Sequence, residues 1–234
     1  MRYDTILFDA DETLLDFHRS EREAIDEALR SFEIHGNEEM LLTYSEINQS
    51  LWKKLERGEI EKKVLFYRRF ELFLERYGIV ADPHELAACY MTLLAKKGYL
   101  LEGAEALCRR LMGKARLYIV TNGTEFIQRG RYAVSGIEDY FEEVFISDVV
   151  GAEKPSVKFF DYVARRIPDF SRERTLIVGD SLTSDMQGGV NFGIDTCWYN
   201  PKGKDCSDAL AGKLTHVAGS FDEIYDFIVL GERK

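Results

Sequence analysis

The chain has 234 residues, a formal net charge of −10 and 45% hydrophobic residues. This length suits one large domain or two modest ones, and the apolar fraction is sufficient for a full hydrophobic core. The strong negative charge argues against nucleic acid and against anionic membrane surfaces as partners.

A short apolar run at residues 5–8 is followed directly by two aspartates, Asp9 and Asp11. Such a run at the start of a chain predicts a buried strand, and open α/β sheets bind ligands beyond the carboxyl ends of their strands. Two neighbouring carboxylates disfavour each other's ionised form, so a cation or a shared proton must relieve the repulsion. The alternative is an acidic turn that caps the next helix.

Residues from about 17 to 95 are predicted to be helical, and the following residues alternate between helices and strands. Four segments have apolar positions at helical spacing: 21–32, 40–56, 61–77 and 83–96. Four later runs are rich in β-forming residues: 117–120, 144–146, 175–178 and 196–199. The alternation predicts a parallel sheet with crossover helices.

The simplest architecture is an α/β fold, with a Rossmann-like parallel sheet core interrupted by a helical insert. The core would comprise residues 1–15 and 97–234, and the insert would comprise residues 16–96. The sequence contains no internal repeat and no low-complexity tract.

Polar residues also follow the later predicted strands. Thr121 and Asn122 end the second strand, where a hydroxyl and amides can bind an anion, although threonine there is also a common helix cap. Lys154 precedes a proline that fixes its turn, and its ammonium can neutralise a carboxylate and a phosphoryl oxygen. The fourth strand delivers Asp180, and Asp185 follows; Mg²⁺ prefers oxygen ligands of this kind.

In chain order these segments read DxDxT, strand-T-N-G, loop-K-P and G-D-S-x-x-x-D. The set resembles the four motifs of the haloacid dehalogenase-like (HAD) hydrolase superfamily, and the helical insert lies where that superfamily carries its C1 cap. Each motif alone is moderately specific at best, but all four in order, each after a predicted strand, are highly specific. The resemblance covers the whole chain.

The resemblance implies a phosphomonoester hydrolase. Asp9 matches the nucleophile that forms an aspartyl-phosphate, and Asp11 matches the general acid and base. Thr121 and the backbone at Asn122 match the groups that hold the transferring phosphoryl group, and Lys154 matches the residue that balances the clustered negative charge.

The resemblance also implies a magnesium site. Its ligands would be the carboxylate of Asp9, the backbone carbonyl of Asp11, Asp180, and Asp185 either directly or through water. Residues 12–16 match the flexible segment that couples core and cap in this superfamily.

Within the superfamily, the first motif resembles a nucleotidase-type group. Glu12 occupies the position where most relatives have glycine, and the insert resembles the same group at residues 47–52 and 69–70. This likeness implies a 5′-nucleotidase that acts on pyrimidine nucleoside monophosphates, with the base held between cap and core.

Candidates for substrate contacts lie in the insert. Trp52 and Phe70 can stack on a base, although an aromatic residue at helical spacing is more often part of the core. Arg68 and Arg69 can contact an anion, and because adjacent helical residues point in different directions, at most one should face the cleft.

Three other functions stay open on the sequence alone. A sugar-phosphate phosphatase or phosphomutase would use the same scaffold. A haloacid dehalogenase would use an aspartate at position 9 but needs no acid/base at position 11, so Asp11 counts strongly against it. A binding protein with an idle site is disfavoured because every motif residue is present.

The remaining features suggest a cytoplasmic protein. The four cysteines show no CxxC spacing, and the N-terminal region carries aspartates where a signal peptide would be apolar. No apolar stretch approaches the roughly 18–20 residues that span a bilayer. We expect a small phosphorylated metabolite as partner, no nucleic acid or membrane, and surface or packing roles for the four histidines.

Overall fold

A parallel sheet of six strands forms the centre of the computed structural model, which describes residues 1–206 and 209–231. The strands are β1 (Thr5–Phe8), β2 (Arg116–Thr121), β3 (Glu143–Ile146), β4 (Thr175–Gly179), β5 (Asp195–Tyr199) and β6 (His216–Ala218). Their order across the sheet is β3-β2-β1-β4-β5-β6, and each neighbouring pair is parallel. The predicted α/β class and Rossmann-like sheet are confirmed.

The five predicted strands are all present, and each predicted run lies within an observed strand. Strand β6, which has three residues at the edge of the sheet, was not predicted. A strand this short is too brief to establish an alternating pattern, so its sequence signal is weak.

The described residues contain ten α-helices. They are α1 (Phe17–Ser31), α2 (Glu38–Glu56), α3 (Lys62–Tyr77), α4 (Pro83–Leu94), α5 (Ala104–Leu111), α6 (Glu125–Ser135), α7 (Ser147–Val150), α8 (Val157–Arg166), α9 (Gln187–Phe192) and α10 (Phe221–Leu230). None of these helices is both long enough and apolar enough to cross a membrane.

Alternate residues of β1 serve the two faces of the sheet. Ile6 and Phe8 belong to a hydrophobic cluster that includes residues of α5 and α10, whereas Leu7 belongs to a second cluster with residues of α8 and α9. Every side chain of β1 is buried, as expected for a central parallel strand covered by helices on both sides.

Helices α1 to α4 bury a separate hydrophobic cluster. Its centre is aromatic: the Tyr44 ring lies 5.3 Å from the Phe70 ring and 5.4 Å from the Tyr90 ring, centroid to centroid. Phe70 is therefore a core residue, which is the alternative that its helical spacing favoured. The division at residues 15/16 and 96/97 stays a prediction; of the predicted core, residues 207–208 and 232–234 lie outside the described residues.

Two residues in the connections between the sheet and these helices have specific backbone roles. Glu12 adopts a left-handed φ of 59°, which explains why glycine is usual at this position in the superfamily, and its carboxylate accepts a hydrogen bond from the backbone N–H of His18 at the start of α1. A Cβ atom on Gly98 would lie 2.2 Å from the carbonyl oxygen of Arg131. Gly98 therefore permits close packing against α6.

Candidate active site

The sheet order brings three of the four motifs together. β1 lies between β2 and β4, so the carboxyl ends of these strands place Asp9, Thr121 and Asp180 side by side. The fourth motif residue, Lys154, lies in the loop between α7 and α8 and reaches the same place. All the core residues predicted for the site line one cavity of about 190 Å³.

Lys154 is the central cation of the site. Its side chain is 1% exposed, and Nζ donates to Asp9 Oδ1 at 2.6 Å, to Asp185 Oδ1 at 2.6 Å and to the Val120 carbonyl oxygen at 2.7 Å. Burial on its own would lower the pKa of Lys154, but the charges of Asp185 and Asp9 outweigh that effect and raise the pKa above its ordinary value. The ammonium is thus held charged, with three acceptors for its three hydrogens.

Three carboxylates crowd around this single ammonium. Asp9, Asp180 and Asp185 each offer an oxygen, and these oxygens lie within 4.8 Å of one another. Burial, followed by the charge of Asp185, raises the pKa of Asp9 well above its ordinary value, and the same causes raise the pKa of Asp180 to about 7. An all-oxygen donor set with this excess of negative charge fits a hard divalent cation.

Gly179 allows this crowding because it has no side chain. A Cβ atom at this position would lie 2.3 Å from Asp185 Oδ2, so any larger residue would displace the carboxylate. The same oxygen accepts a hydrogen bond from the backbone N–H of Ser181 at 3.1 Å. The absence of a side chain at Gly179 therefore lets the Asp185 carboxylate approach Asp9 and Asp180.

Asn122 fixes the loop that carries Lys154. Its Nδ2 donates to the Lys154 carbonyl oxygen and its Oδ1 accepts from the Lys154 backbone N–H, both at 2.8 Å. Asn122 was predicted as an anion-binding and substrate-binding residue, and this use of its side chain was not anticipated. The side chain of Asn122 is a positioning group for the lysine.

The Thr121 hydroxyl is oriented by two donors. The backbone N–H of Gly123 and Nε2 of Gln128 both donate to its oxygen, at 3.1 and 2.9 Å. With both lone pairs engaged, the hydroxyl hydrogen remains to be donated, as a phosphoryl oxygen in the cavity would require.

Gln128 and Arg131 are site residues that the sequence analysis missed. Gln128 Nε2 donates to Asp11 Oδ2 at 2.9 Å, and Arg131 Nη1 pairs with Asp11 Oδ1. The carboxylate of Asp11 is therefore held by α6 and is not part of the cluster of Asp9, Asp180 and Asp185. Coordination of the metal by the backbone carbonyl oxygen of Asp11 stays a prediction. Two long polar side chains three residues apart on the buried face of α6 were the available signal.

Helices of the insert form the opposite wall of the cavity. This wall is largely apolar and aromatic, with one buried guanidinium and one carboxylate, and consists of Phe17, Trp52, Glu56, Phe66, Arg69 and Leu94. Arg69 lies in the cavity wall, while its neighbour Arg68 pairs with Glu71 on the surface. The expectation that at most one of these two arginines faces the cleft is confirmed.

Two side chains of α2 and α3, Glu56 and Lys62, make polar contacts with residues outside these helices beside the cavity. Thr183 Oγ1 donates to Glu56 Oε2 at 2.5 Å. Lys62 Nζ donates to the Gly123 carbonyl oxygen at 3.0 Å and also pairs with Asp148. None of the four histidines, all of which lie in the described parts of the chain, lines the cavity.

Comparison with known proteins agrees with this geometry. The family model of haloacid dehalogenase-like hydrolases matches residues 3–193. The chain belongs to this family. Like its relatives, it is an enzyme of the hydrolase class, and the ordered motifs of the HAD superfamily are the residues that meet in the cavity.

Three HAD relatives are similar over most of their length. Pyrimidine 5′-nucleotidase PynA of Streptococcus pneumoniae is 42% identical over 86% of this chain and 85% of its own. Pyrimidine 5′-nucleotidase YjjG of Escherichia coli is 33% identical over 92% and 94%. The HAD-hydrolase YfnB of Bacillus subtilis, whose crystal structure contains bound magnesium and reveals interdomain movement, is 37% identical with a TM-score of 0.92, covering 98% of this chain and 100% of its own.

Replacing Asn122 by alanine tests the positioning of Lys154. The loss of both hydrogen bonds should let Lys154 move away from Asp9, and kcat should fall on the order of 10²-fold because small displacements of a catalytic group are costly. The measurement is kcat and KM for phosphate release, with thermal unfolding to show that the variant is folded.

Asn200 provides the matched control. Its side chain makes the same pair of bonds with the backbone of Lys204, at 2.9 and 2.8 Å, but does not line the cavity. Asn200→Ala should change kcat by less than about threefold. Equal decreases in kcat in the two variants would show that the hydrogen bonds of Asn122 to Lys154 have only a structural role.

Proposed function

We propose that this HAD hydrolase is a Mg²⁺-dependent 5′-nucleotidase that acts on pyrimidine nucleoside monophosphates through an aspartyl-phosphate intermediate. The observation that carries the proposal is the position of Asp9, whose carboxylate lies at the floor of the cavity, is 8% exposed and is held by the ammonium of Lys154. The two nucleotidase relatives support the substrate class.

In the first step, a carboxylate oxygen of Asp9 attacks phosphorus. The new O–P bond forms as the P–O bond to the nucleoside breaks, and the electron pair leaves on the 5′ oxygen. The charge of Lys154 lowers the pKa of Asp9, in opposition to burial, and so favours its nucleophilic, ionised form. Asp9 Oδ2 accepts a hydrogen bond from Thr13 at 3.3 Å, which orients the carboxylate.

Asp11 acts as the general acid in the first step and as the general base in the second. It protonates the departing 5′ oxygen, and it then takes a proton from the water that attacks phosphorus of the aspartyl-phosphate and releases inorganic phosphate. Gln128 and Arg131 hold this carboxylate at a fixed place above the nucleophile's strand.

The charge of the phosphoryl group is met by groups that are already in place. The hydroxyl of Thr121 and the backbone N–H at Asn122 would donate to its oxygens, and Lys154 lies beside them. Mg²⁺ held by Asp9, Asp180, Asp185 and the Asp11 carbonyl would supply charge neutralisation between nucleophile and phosphate.

The insert, residues 16–96, would act as a cap on a core formed by residues 1–15 and 97–234. Glu56 and Lys62 attach it to residues of the core beside the cavity. A closed cap excludes water, which strengthens each charge interaction in the site. Its aromatic wall suits a planar base better than a sugar, so we favour a nucleotide over the alternative of a sugar phosphate.

Removing divalent ions should abolish activity, and adding Mg²⁺ should restore it, because the three carboxylates are left with one ammonium. Asp180→Ala should weaken Mg²⁺ binding more than Asp185→Ala, since both oxygens of Asp185 already have protein partners. Titration calorimetry with Mg²⁺ measures the affinities. Full activity in excess chelator would exclude the metal-dependent scheme.

Substrate profiling tests the assignment of the base. We expect kcat/KM for dUMP, dTMP and UMP to exceed that for ribose 5-phosphate and glucose 6-phosphate by at least about tenfold, because the phosphate site is common to all and only the base reaches the cap. A clear preference for a sugar phosphate would refute the nucleotidase assignment and leave the phosphatase chemistry intact.

A further inference from the structure

Arg69 is a buried cation with unused hydrogen-bonding capacity in the wall of the cavity. It lies on α3 and is 2% exposed. Its Nη1 donates to Asn48 Oδ1 at 3.0 Å, but within the described residues Nε and Nη2 have no hydrogen-bond partner. Buried donors without partners are costly, so their presence in a ligand cavity indicates a ligand with acceptors.

Aromatic rings surround the guanidinium without satisfying these donors. The guanidinium carbon lies 5.7 Å from the ring centroid of Phe66, 5.1 Å from that of Phe70 and 5.0 Å from that of Tyr90. Such rings stabilise the positive charge through their faces. They supply no hydrogen-bond acceptor to Nε or Nη2, so both donors stay unpaired within the described residues.

A buried polar network fixes the direction of Arg69. Asn48 Nδ2 donates to Glu21 Oε1 at 2.6 Å, and Ser45 Oγ donates to Glu21 Oε2 at 2.6 Å. Asn48 thus bridges the carboxylate and the guanidinium across three helices of the insert. The network orders the Arg69 side chain before a ligand binds, which reduces the conformational entropy lost on binding.

We propose that Nε and Nη2 of Arg69 donate to the C2 carbonyl oxygen of the pyrimidine base, which makes Arg69 the specificity-determining residue of the site; this inference rests on the proposed nucleotidase function. All the common pyrimidines carry that carbonyl, and adenine does not. The adjacent wall residues Trp52 and Phe66 provide apolar surface for the plane of the same ring.

Arg131 also has an unpartnered nitrogen, Nη2, in this cavity, but its position suits a different part of the substrate. Its Nη1 is bound to Asp11, the proposed general acid, so Arg131 lies beside the reacting group. The bonded nitrogen of Arg69 is instead anchored on α2 of the insert. Of these two arginines, Arg69 is therefore the one that we assign to the hydrogen bond with the base.

The test compares dUMP with 2-deoxyribose 5-phosphate, which is the same sugar phosphate without the base. In Arg69→Met the ratio of kcat/KM for dUMP to that for 2-deoxyribose 5-phosphate should fall on the order of 10²-fold, because the donors to the carbonyl are lost. Arg69→Lys should restore little of the ratio, since lysine lacks the two-donor fork. Arg68→Met, an exposed neighbour on the same helix, is the matched control and should leave the ratio unchanged.

Equal losses on both substrates in Arg69→Met would overturn the inference and leave the nucleotidase assignment standing. A wild-type enzyme without preference for dUMP over 2-deoxyribose 5-phosphate would instead overturn the nucleotidase assignment. A loss confined to a carboxylate-bearing ester such as 3-phosphoglycerate would also overturn the inference, because Arg69 would then bind an anion.

A measurement on the wild-type enzyme covers the case in which the variants do not fold. A deoxynucleotide analogue whose base is replaced by phenyl has the ring but no carbonyl acceptor. We expect its kcat/KM to be lower than that of dUMP by on the order of 10²-fold, since the donors of Arg69 would be left unpaired. Equal values for the two substrates would overturn the proposal.

Discussion

The three hydrogen bonds of Lys154 determine the arrangement of the whole site. Asp9 directly follows β1, and Asp185 lies six residues after the end of β4. The two carboxylates would repel each other in a buried place, and the ammonium between them makes their proximity possible. Its position depends in turn on Asn122, and its third bond ties it to β2. One cation therefore couples the ends of three central strands, and the reactivity of Asp9 depends on it.

The helical insert adds a second buried charge system on the other side of the cavity. Glu21, Asn48 and Arg69 link three helices through hydrogen bonds, while the aromatic rings around them form the insert's own hydrophobic centre. The ends of the strands thus carry the acidic residues near Lys154, and helices α1 to α4 provide a mostly apolar wall with the buried guanidinium of Arg69. This separation explains how one chemistry can serve many substrates in the family.

Much of this arrangement could be predicted from the sequence. Apolar runs and the acids that follow them carry strong local signals, so the sequence predicts Asp9 and Asp180. The ordered set of motifs adds Lys154. Gln128, Arg131 and the side-chain role of Asn122 were not found, because their partners are distant in sequence and only the fold brings them together. The left-handed backbone conformation of Glu12 was also not predicted, because glutamate rarely adopts it.

The most direct test of the central claim is to trap the phosphoryl group. Phosphate-labelled p-nitrophenyl phosphate, whose leaving group departs without a general acid, is mixed with the Asp11→Asn variant in Mg²⁺. Loss of the proton-accepting carboxylate should then slow only the hydrolysis of the intermediate; the reaction is quenched in acid and the peptide masses are measured. We expect one phosphoryl group on Asp9 and none in Asp9→Asn. An unmodified Asp9 together with activity of Asp9→Asn within about tenfold of the unaltered enzyme would contradict it.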